Sequence, residues 1–448
     1  MEVQRRRVCV IGAGSSGITA CQNLAEHGID FDCFEKSSTV GGNWRYENDN
    51  GMSAAYRSLH INTSRQMMEY RAFPMPADYP DYPSHFQIAA YFDDYVDHFG
   101  LRDRISFRTE VVEAVPEDGG WRVTVEGPDG ERQTRDYSDL MVCNGHHWDA
   151  RWPDPPFPGA DDFTGEQMHA HDYRTADILQ GKRVLVLGIG NSATDIAVEA
   201  SRVADRTFLA MRRGAWILPK YVGGVPIDKA TSGAFTHAPL AVQSAVMRGV
   251  LRLSVGKLSD YGLPEPDHKP LHAHPTLSDE LLGRLGHGDI TVKPNIERFE
   301  GDSVVFTDGS REQVDLVIYC TGYRITFPFF DESVVSAEDN RIELYRRVVS
   351  VEHPGLYFIG LIQPLGAIMP LAEAQSAWVA ELITGRGELP DRATMARDIA
   401  AEQAATDRRY VNSKRHTIQV DFEPYLRSLS REREDSRGRA SRERVLSG

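Results

Sequence analysis

The chain has 448 residues, and at roughly 150 residues per domain this length predicts two or three domains. Its 65 acidic and 50 basic residues give a net charge of −15, which argues against nucleic-acid binding and against general attraction to anionic lipid. The five cysteines form no CxxC pair and no apolar run reaches ~18 residues, so we expect a cytoplasmic protein without a disulfide framework, a zinc site or a membrane span.

The N-terminal region has the pattern of a βαβ unit. Residues 8–11 are a short apolar, largely β-branched run that predicts a buried strand, and a helix and a second strand follow. The turn after the first strand is G-x-G-x-x-G, with its glycines at Gly12, Gly14 and Gly17. Such a turn lets a pyrophosphate approach a helix N-terminus. Glu35, 18 residues after Gly17, is predicted to accept hydrogen bonds from the ribose hydroxyls.

The same pattern returns near the middle of the chain. Residues 184–187 predict a strand, and G-x-G-x-x-A follows with its glycines at Gly188 and Gly190. Asn191 and Ser192, at the start of the following helix, are predicted to help position a cofactor, to cap that helix, or both.

Counting locates the residues that would bind the ribose in this second module. Glu35 lies 23 residues after Gly12, and the same interval after Gly188 ends at Met211, directly before Arg212 and Arg213. A guanidinium binds the 2′-phosphate that a carboxylate would repel, so the second module is predicted to prefer NADPH to NADH, with Arg212 favoured over Arg213.

Four further segments carry weaker patterns. Residues 121–125 alternate like an exposed-edge strand, and residues 358–360 end a strand. Residues 369–383 predict a helix, with a proline near its start and a glycine beyond its end. Residues 431–444 are dense in both charges and lack aromatic and β-branched residues, so we predict a disordered or frayed tail there.

These patterns predict an α/β flavoprotein with two Rossmann-like dinucleotide-binding domains, the second inserted into the first. We place the first part of the FAD domain at 1–160, the NADPH domain at 161–319, the second part of the FAD domain at 320–427 and a charged flexible tail at 428–448. The NADPH domain contains an insertion, 215–277, with an apolar stretch at 240–253. That stretch is predicted to be a packed helix, a helix that lines the substrate channel, a dimer contact or a lid.

With FAD in one module, NADPH in the other and no redox cysteine pair, electrons pass from NADPH to the flavin and then to an external acceptor. That acceptor is oxygen, a quinone or a protein.

A longer motif then identifies a family. The segment 163–173 fits F-x-G-x-x-x-H-x-x-x-[FY] at Phe163, Gly165, His169 and Tyr173, directly before the second glycine turn. In this respect the chain resembles the flavin-containing monooxygenases, which are related to the Baeyer–Villiger enzymes.

Other segments support the resemblance nearly as far as Gly385. They are Gly41-Gly42-Asn43-Trp44, Asn62-Thr63-Ser64-Arg65-Gln66-Met67-Met68, Cys143-Asn144-Gly145-His146-His147, Cys320-Thr321-Gly322-Tyr323 and Leu361-Ile362-Gln363-Pro364-Leu365-Gly366.

The resemblance implies a function. Reduced FAD would trap oxygen as a C4a-hydroperoxide and pass one oxygen atom to a soft nitrogen or sulfur atom of a small molecule. Asn62 is implied as the active-site side chain, because its amide can both donate to and accept from a peroxide; a turn-forming asparagine is the alternative. Gly42, Trp44 and Gln363 are implied to line the flavin, although a buried tryptophan is also typical of plain core.

Two departures from the family pattern matter. Position 173 is Tyr, where Baeyer–Villiger enzymes typically carry Trp, which favours heteroatom oxygenation without excluding ketones. The C-terminal sequence is charged, whereas the membrane-bound animal members end in an apolar anchor, so we expect a soluble protein. A homodimer is implied by the resemblance alone.

Several alternatives stay open. They are Baeyer–Villiger oxygenation of ketones, an uncoupled NADPH oxidase that releases hydrogen peroxide, a disulfide reductase-type flavoenzyme and an NADPH-sensing scaffold. His169 is more typical of an ordered linker than of a general base, and the histidines do not have the spacing of metal ligands.

Overall fold

The structure is a computed structural model, and it describes residues 6–410 and 417–447. The α-helices in these ranges are α1 (Ser15–Glu26), α2 (Arg65–Met68), α3 (His85–His98), α4 (Asn191–Val203), α5 (Ile227–Ala230), α6 (Leu240–Ser254), α7 (Leu281–His287), α8 (Met369–Ile383), α9 (Arg392–Arg409) and α10 (Phe422–Ser447). The strands are β1 (Arg7–Ile11), β2 (Asp30–Phe34), β3 (Ile105–Ser106), β4 (Glu110–Glu117), β5 (Gly120–Glu126), β6 (Arg132–Tyr137), β7 (Asp139–Val142), β8 (Asp149–Ala150), β9 (Glu166–His169), β10 (Arg183–Leu187), β11 (Arg206–Ala210), β12 (Ile217–Leu218), β13 (Tyr221–Val222), β14 (Val225–Pro226), β15 (Thr276–Leu277), β16 (Ile290–Lys293), β17 (Ile296–Glu300), β18 (Ser303–Phe306), β19 (Arg311–Gln313), β20 (Leu316–Tyr319), β21 (Tyr323–Arg324), β22 (Leu356–Phe358), β23 (Gln363–Leu365) and β24 (Gln419–Asp421). In the described ranges, none of the helices has the length and apolar character needed to cross a membrane.

The chain divides into two compact units. Unit 1 comprises Met1–Ser53, Thr63–Asp149 and Arg324–Gly448, and unit 2 comprises Ala54–Asn62 and Ala150–Tyr323. The chain passes from unit 1 into the main part of unit 2 between residues 149 and 150, about ten residues before the boundary that we placed at 160/161 from the sequence. The short segment Ala54–Asn62, which the sequence assigned to the first domain, belongs to unit 2.

Unit 1 is built around a five-stranded parallel sheet in the order β22-β7-β1-β2-β3. The apolar run of β1 is buried, as a strand covered on both faces should be. In the register of this sheet, Ile11 pairs with Phe34, so the chain leaves β1 and β2 at the same edge. This alignment places the start of α1 beside the end of β2, where the dinucleotide turn was predicted.

The predicted strand at 121–125 is present, but its predicted place at an exposed edge is wrong. The residues form β5, which is the middle strand of a three-stranded antiparallel sheet with β4 and β6. Trp121 is 2% exposed and belongs to the core of unit 1. The neighbouring strand β6 has the sequence RQTRDY, which has too little apolar character to be recognised as a strand. Its pairing with β5 was therefore not predicted.

Unit 2 repeats the architecture with the parallel order β16-β11-β10-β20-β9. Leu187, at the end of β10, pairs with Ala210 on one side and Tyr319 on the other. α4 begins after the glycine turn that follows β10 and buries Ile196 and Ala197 against the sheet. Both predicted dinucleotide modules therefore have their strands and helices, and the predicted fold class is confirmed by these two sheets.

The insertion 215–277 contains the predicted helix as α6. Its Met247 and Leu251 pack with Leu218 and Ile227 in a small core of their own. α6 is therefore a packed helix, which was one of the four interpretations.

The prediction of a disordered or frayed tail near the C-terminus, which was made from charge content, is wrong. α8 has the predicted bounds, but residues 431–444 are part of the long helix α10 and not a disordered tail. Leu429 and Ala440 are buried on α10, and Arg433 and Arg437 bind Glu381 of α8. The charge density gave no indication of this helix, because it does not show that two of the arginines pair with a carboxylate on α8.

Candidate cofactor and active sites

The first glycine turn has no room for side chains at its key positions. A Cβ on Gly17 would lie 1.8 Å from the Gly12 oxygen, and a Cβ on Gly12, where φ is +94°, would lie 2.9 Å from the Cys143 oxygen. Gly14 stands at the N-cap of α1 and offers no side-chain cap to the first N–H groups of that helix. Free N–H groups at a helix start, with backbone tightly packed behind them, suit a pyrophosphate.

Glu35 lies beside this turn, as the spacing predicted. The side chain is buried, and Oε2 accepts a hydrogen bond of 2.6 Å from the Ala13 N–H. Oε1 accepts from both the N–H and the hydroxyl of Ser37, each at 2.8 Å. The carboxylate is thus fixed at the end of β2 within the turn that would hold a dinucleotide.

A second turn of unit 1 closes on the first. The Gly41 N–H donates to the Ala13 oxygen at 3.1 Å, and a Cβ on Gly42, where φ is +52°, would lie 3.2 Å from the Gly14 Cα. Trp44 ends the short 3₁₀ turn that begins at Gly42 and is half-buried. The predicted residues Gly14 and Gly42 are therefore direct neighbours.

Gln363 has a different environment. It is the first residue of β23, and its N–H donates to the Ile418 oxygen beside β24 at 2.8 Å. Its role at the flavin stays a prediction.

The turn of unit 2 is held by the end of the insertion. Gly188 has a φ of +141°, and a Cβ there would lie 2.8 Å from the Cys320 oxygen. The Thr276 hydroxyl donates to the Ile189 oxygen at 2.6 Å, and the Leu277 N–H donates to Asn191 Oδ1 at 2.9 Å.

The start of α4 shows whether Asn191 and Ser192 cap this helix. Gly190 is the N-cap of α4, with no side-chain cap, and Asn191 and Ser192 are the first two helical residues. The capping interpretation is therefore wrong for both residues. Their position at the start of α4 is compatible with cofactor contact.

The two arginines follow β11 after one intervening residue, Met211, and they differ in their surroundings. Both are exposed, but Arg213 forms an ion pair of 4.0 Å with Asp267 of the insertion. A neighbouring carboxylate opposes phosphate binding at Arg213. The arrangement agrees with the preference for Arg212.

Asn62 is the last residue of Ala54–Asn62, the short segment from the N-terminal half of the chain that belongs to unit 2. It is half-buried, and its amide makes no hydrogen bond within the ranges that the structure describes. The amide is therefore available to a bound group.

The fingerprint segment is structural in most of its positions. A Cβ on Gly165 would lie 2.6 Å from the Phe163 ring and 2.8 Å from the Asp315 oxygen, which explains the glycine. Tyr173 is fully buried and its hydroxyl donates to Glu199 of α4. Burial lowers the pKa of His169 to about 4, so this ring is neutral at physiological pH and serves the linker better than proton transfer.

Sequence reasoning missed three polar residues around the Asn62 segment. Tyr56 donates to Asp195 of α4, and Lys220 of the insertion donates to the Ile61 oxygen at 3.5 Å. Asp195 was detectable as an acidic residue one helical turn after Asn191, on the same face of α4. In residues 6–410 and 417–447 no group of three or more His, Cys, Asp or Glu side chains is arranged to hold a metal ion.

Comparisons with known proteins agree with this geometry. The family model "Flavin-binding monooxygenase-like" matches residues 5–434. Flavin-containing monooxygenase 5 of Homo sapiens is 39% identical over 442 residues, which cover 95% of this chain and 82% of that protein. Dimethylaniline monooxygenase (N-oxide-forming) 2 of Rattus norvegicus is 35% identical, with 95% and 82% covered.

Solved structures show the same architecture. The S-allyl-L-cysteine S-oxygenase of Allium sativum has a TM-score of 0.72 at 26% identity, covering 98% of this chain and 93% of that one. The OTEMO complex with FAD and NADP has a TM-score of 0.74 at 17% identity, covering 96% and 98%, and it supports the fold. The resemblance stated from the sequence motifs is confirmed, and the chain belongs to the flavin-binding monooxygenase-like family.

Proposed function

We propose that the protein is an NADPH- and oxygen-dependent monooxygenase that oxygenates soft nitrogen or sulfur atoms of small molecules. The observation that carries the proposal is the pair of glycine turns, one beside the carboxylate of Glu35 and the other followed by Arg212. The first turn fits FAD and the second fits NADPH. Bound FAD would supply the redox chemistry that the side chains lack, accepting a hydride from NADPH and activating oxygen.

The chain itself supplies binding and orientation. The N-termini of α1 and α4 receive the two pyrophosphates, and Glu35 accepts from ribose hydroxyls. Arg212 binds the 2′-phosphate through charge-assisted hydrogen bonds. The Asn62 amide would orient an oxygen group held at the flavin, donating to it through its N–H or accepting from it through Oδ1.

Two relatives favour a nitrogen or sulfur substrate. The rat relative is N-oxide-forming by name, and the garlic protein is an S-oxygenase. Tyr173 adds a third argument, because the Baeyer–Villiger fingerprint typically carries Trp at this position.

Rapid mixing of the NADPH-reduced protein with oxygenated buffer tests the reaction. We expect an oxygenated flavin spectrum that persists until an amine or thioether is added, with label from oxygen gas appearing in the product. Direct return to oxidised flavin with stoichiometric peroxide would instead show an oxidase. Ester formation from a ketone panel, without N- or S-oxide, would show a Baeyer–Villiger enzyme.

Removing the Arg212 guanidinium should change the nucleotide preference. We expect Arg212→Ala to weaken NADPH binding by ~1.5–3 kcal/mol, the value of a lost charge-assisted hydrogen bond, and to leave NADH binding nearly unchanged. Dissociation constants of NADP⁺ and NAD⁺ measure this difference. Arg213→Ala is the matched control and should have the smaller effect, because Asp267 already engages Arg213. Equal weakening of both nucleotides by Arg212→Ala would remove Arg212 from the phosphate site.

Removing the Asn62 amide should uncouple the enzyme. In Asn62→Ala we expect flavin reduction by NADPH at close to the wild-type rate, but decay of the oxygenated flavin about tenfold faster, since one hydrogen bond is lost. The yields of peroxide and product per NADPH report the change. Ser58→Ala, at an exposed position of the same segment, should behave as wild type. Unchanged coupling in Asn62→Ala would make Asn62 a turn residue only.

A further inference from the structure

We propose that Asp195, together with Tyr56 and Lys220, is a positioning group that fixes the backbone segment carrying Asn62. The inference rests on the proposed function, because the coupling that it predicts depends on the role of Asn62. It adds three residues outside the glycine turns and the fingerprint, and it gives the insertion 215–277 a task.

The first attachment of the segment is at Tyr56. This side chain is 4% exposed, and its hydroxyl donates to Asp195 Oδ2 on α4. Its ring lies 5.9 Å from the Tyr173 ring, centroid to centroid, and the next residue, Arg57, donates its N–H to the Arg174 oxygen at 2.8 Å. The start of the segment is thus fixed to the same helix whose N-terminus faces the predicted NADPH turn.

The second attachment is next to Asn62 itself. Lys220 Nζ donates to the oxygen of Ile61, which is fully buried, at 3.5 Å. The Lys220 N–H donates to Asp279 Oδ1 at 2.8 Å, so the backbone of Lys220 is held as well. Because the Ile61 carbonyl and the Asn62 N–H belong to one peptide plane, holding this oxygen restricts the orientation of Asn62.

Charge couples the two attachments. Burial raises the pKa of Asp195 to about 6, against the opposing effects of the Tyr56 hydrogen bond and the Lys220 charge. Burial also lowers the pKa of Lys220, against the attraction of Asp195 and Asp279. Buried charges are costly, and an apolar packing would be at least as stable; one role for such a network is to specify one geometry. Here the geometry that it specifies is the position of residues 56–62.

A neighbouring pair provides the internal comparison. Glu199, one turn further along α4, accepts from the Tyr173 hydroxyl in the same manner as Asp195 accepts from Tyr56. Tyr173 belongs to the fingerprint segment and not to 54–62. Glu199→Gln therefore removes a carboxylate from the same helix face without removing a hydrogen bond to the Asn62 segment.

Amide hydrogen exchange of the FAD-loaded protein tests the proposal, with Asp195→Asn, Tyr56→Phe and Lys220→Met compared with Glu199→Gln. We expect exchange in residues 56–62 to accelerate by roughly tenfold in the first three variants and to stay at the wild-type rate in Glu199→Gln. If Asp195→Asn fails to retain FAD, Tyr56→Phe, which loses a single hydroxyl, decides the result. Wild-type exchange in Tyr56→Phe and Lys220→Met would overturn the proposal.

Kinetics of the same variants separate positioning from general destabilisation. The KM for NADPH should change by less than about twofold, while product per NADPH falls and peroxide rises, because the binding turn is untouched and only the Asn62 geometry is relaxed. An equal rise of peroxide in Glu199→Gln would contradict a specific role of Asp195. The failure of this proposal can be distinguished from the failure of the proposed function. If the three variants exchange faster but the wild type makes only peroxide, the positioning role is supported and the oxygenation function is rejected.

Discussion

Gly17→Ala is expected to yield a protein without flavin. The added Cβ would lie 1.8 Å from the Gly12 oxygen and 2.8 Å from the Gly12 carbon. Both atoms are backbone, and Gly12 is itself confined by the Cys143 carbonyl, so the overlap is relieved only by opening the turn or moving α1. Either movement removes the pyrophosphate site. The ratio of visible flavin absorbance to protein absorbance in the purified variant measures the loss.

Gly28→Ala is the control at the other end of α1. Gly28 has a φ of +66°, and a Cβ there meets no heavy atom within 4 Å. The left-handed conformation costs an alanine ~1 kcal/mol, so this variant should be slightly less stable and should keep its flavin. A Gly17→Ala protein with full flavin content would contradict the close packing of the turn. The position of the second turn that corresponds to Gly17 is occupied by Ala193, so the strict need for glycine at this position is specific to the first turn.

The cofactor turns were predictable because their signals are local. A strand, a glycine turn and a helix are consecutive in the chain, and the position of Glu35 follows from counting along β2. The same holds for α8, whose bounds are marked by Pro370 and Gly385. In each case every residue that determines the element lies within about one turn or one strand of it.

The environment of Asn62 was not predictable, because its attachments are distant in sequence. Tyr56 and Asp195 are 139 residues apart, and Lys220 and Ile61 are 159 apart. Neither pair has a periodic pattern or a recognisable spacing. The assignment of residues 54–62 to unit 2 depends on such contacts. The sequence alone placed this segment in the same domain as the residues on either side of it in the chain, because its distant contacts were not known.

The prediction made from the charge content of α10 was wrong for a related reason. A segment rich in both charges is disordered when its charges face water, and ordered when a partner surface satisfies them. The satisfying residue is Glu381, on α8 and about fifty residues earlier. The spacing of the buried Leu429, Glu432, Ser436 and Ala440 along α10, at intervals of three and four, was the available signal, but two of these residues are polar.

Replacing Glu381 should destabilise unit 1 markedly. Glu381 is 3% exposed, and its two oxygens accept from Arg433 Nε and Arg437 Nε, each at 2.8 Å. Glu381→Gln keeps the shape but leaves two guanidinium groups without their anion. We expect the free energy of unfolding at neutral pH to fall by about 2–3 kcal/mol, the range of a hydrogen bond to a charged group, as measured by urea denaturation.

The pH dependence of this loss has a definite sign. Burial alone would raise the pKa of the Glu381 carboxyl, but the hydrogen bonds from Arg437 and Arg433 outweigh burial and lower the pKa to about 2. In the unfolded chain a glutamate titrates near ~4.3, so as the pH falls the unfolded state takes up the proton first. The contribution of Glu381 is therefore complete above about pH 5 and is lost as the pH falls towards 2.

The difference in stability between wild type and Glu381→Gln should accordingly shrink between about pH 5 and pH 3. Glu352→Gln is the matched control, because Glu352 also pairs with an arginine, Arg392, but its side chain is 71% exposed. An exposed pair contributes at most about 1 kcal/mol, so this control should unfold almost as wild type does. A Glu381→Gln protein with wild-type stability at neutral pH would show that α10 is held by its apolar residues alone.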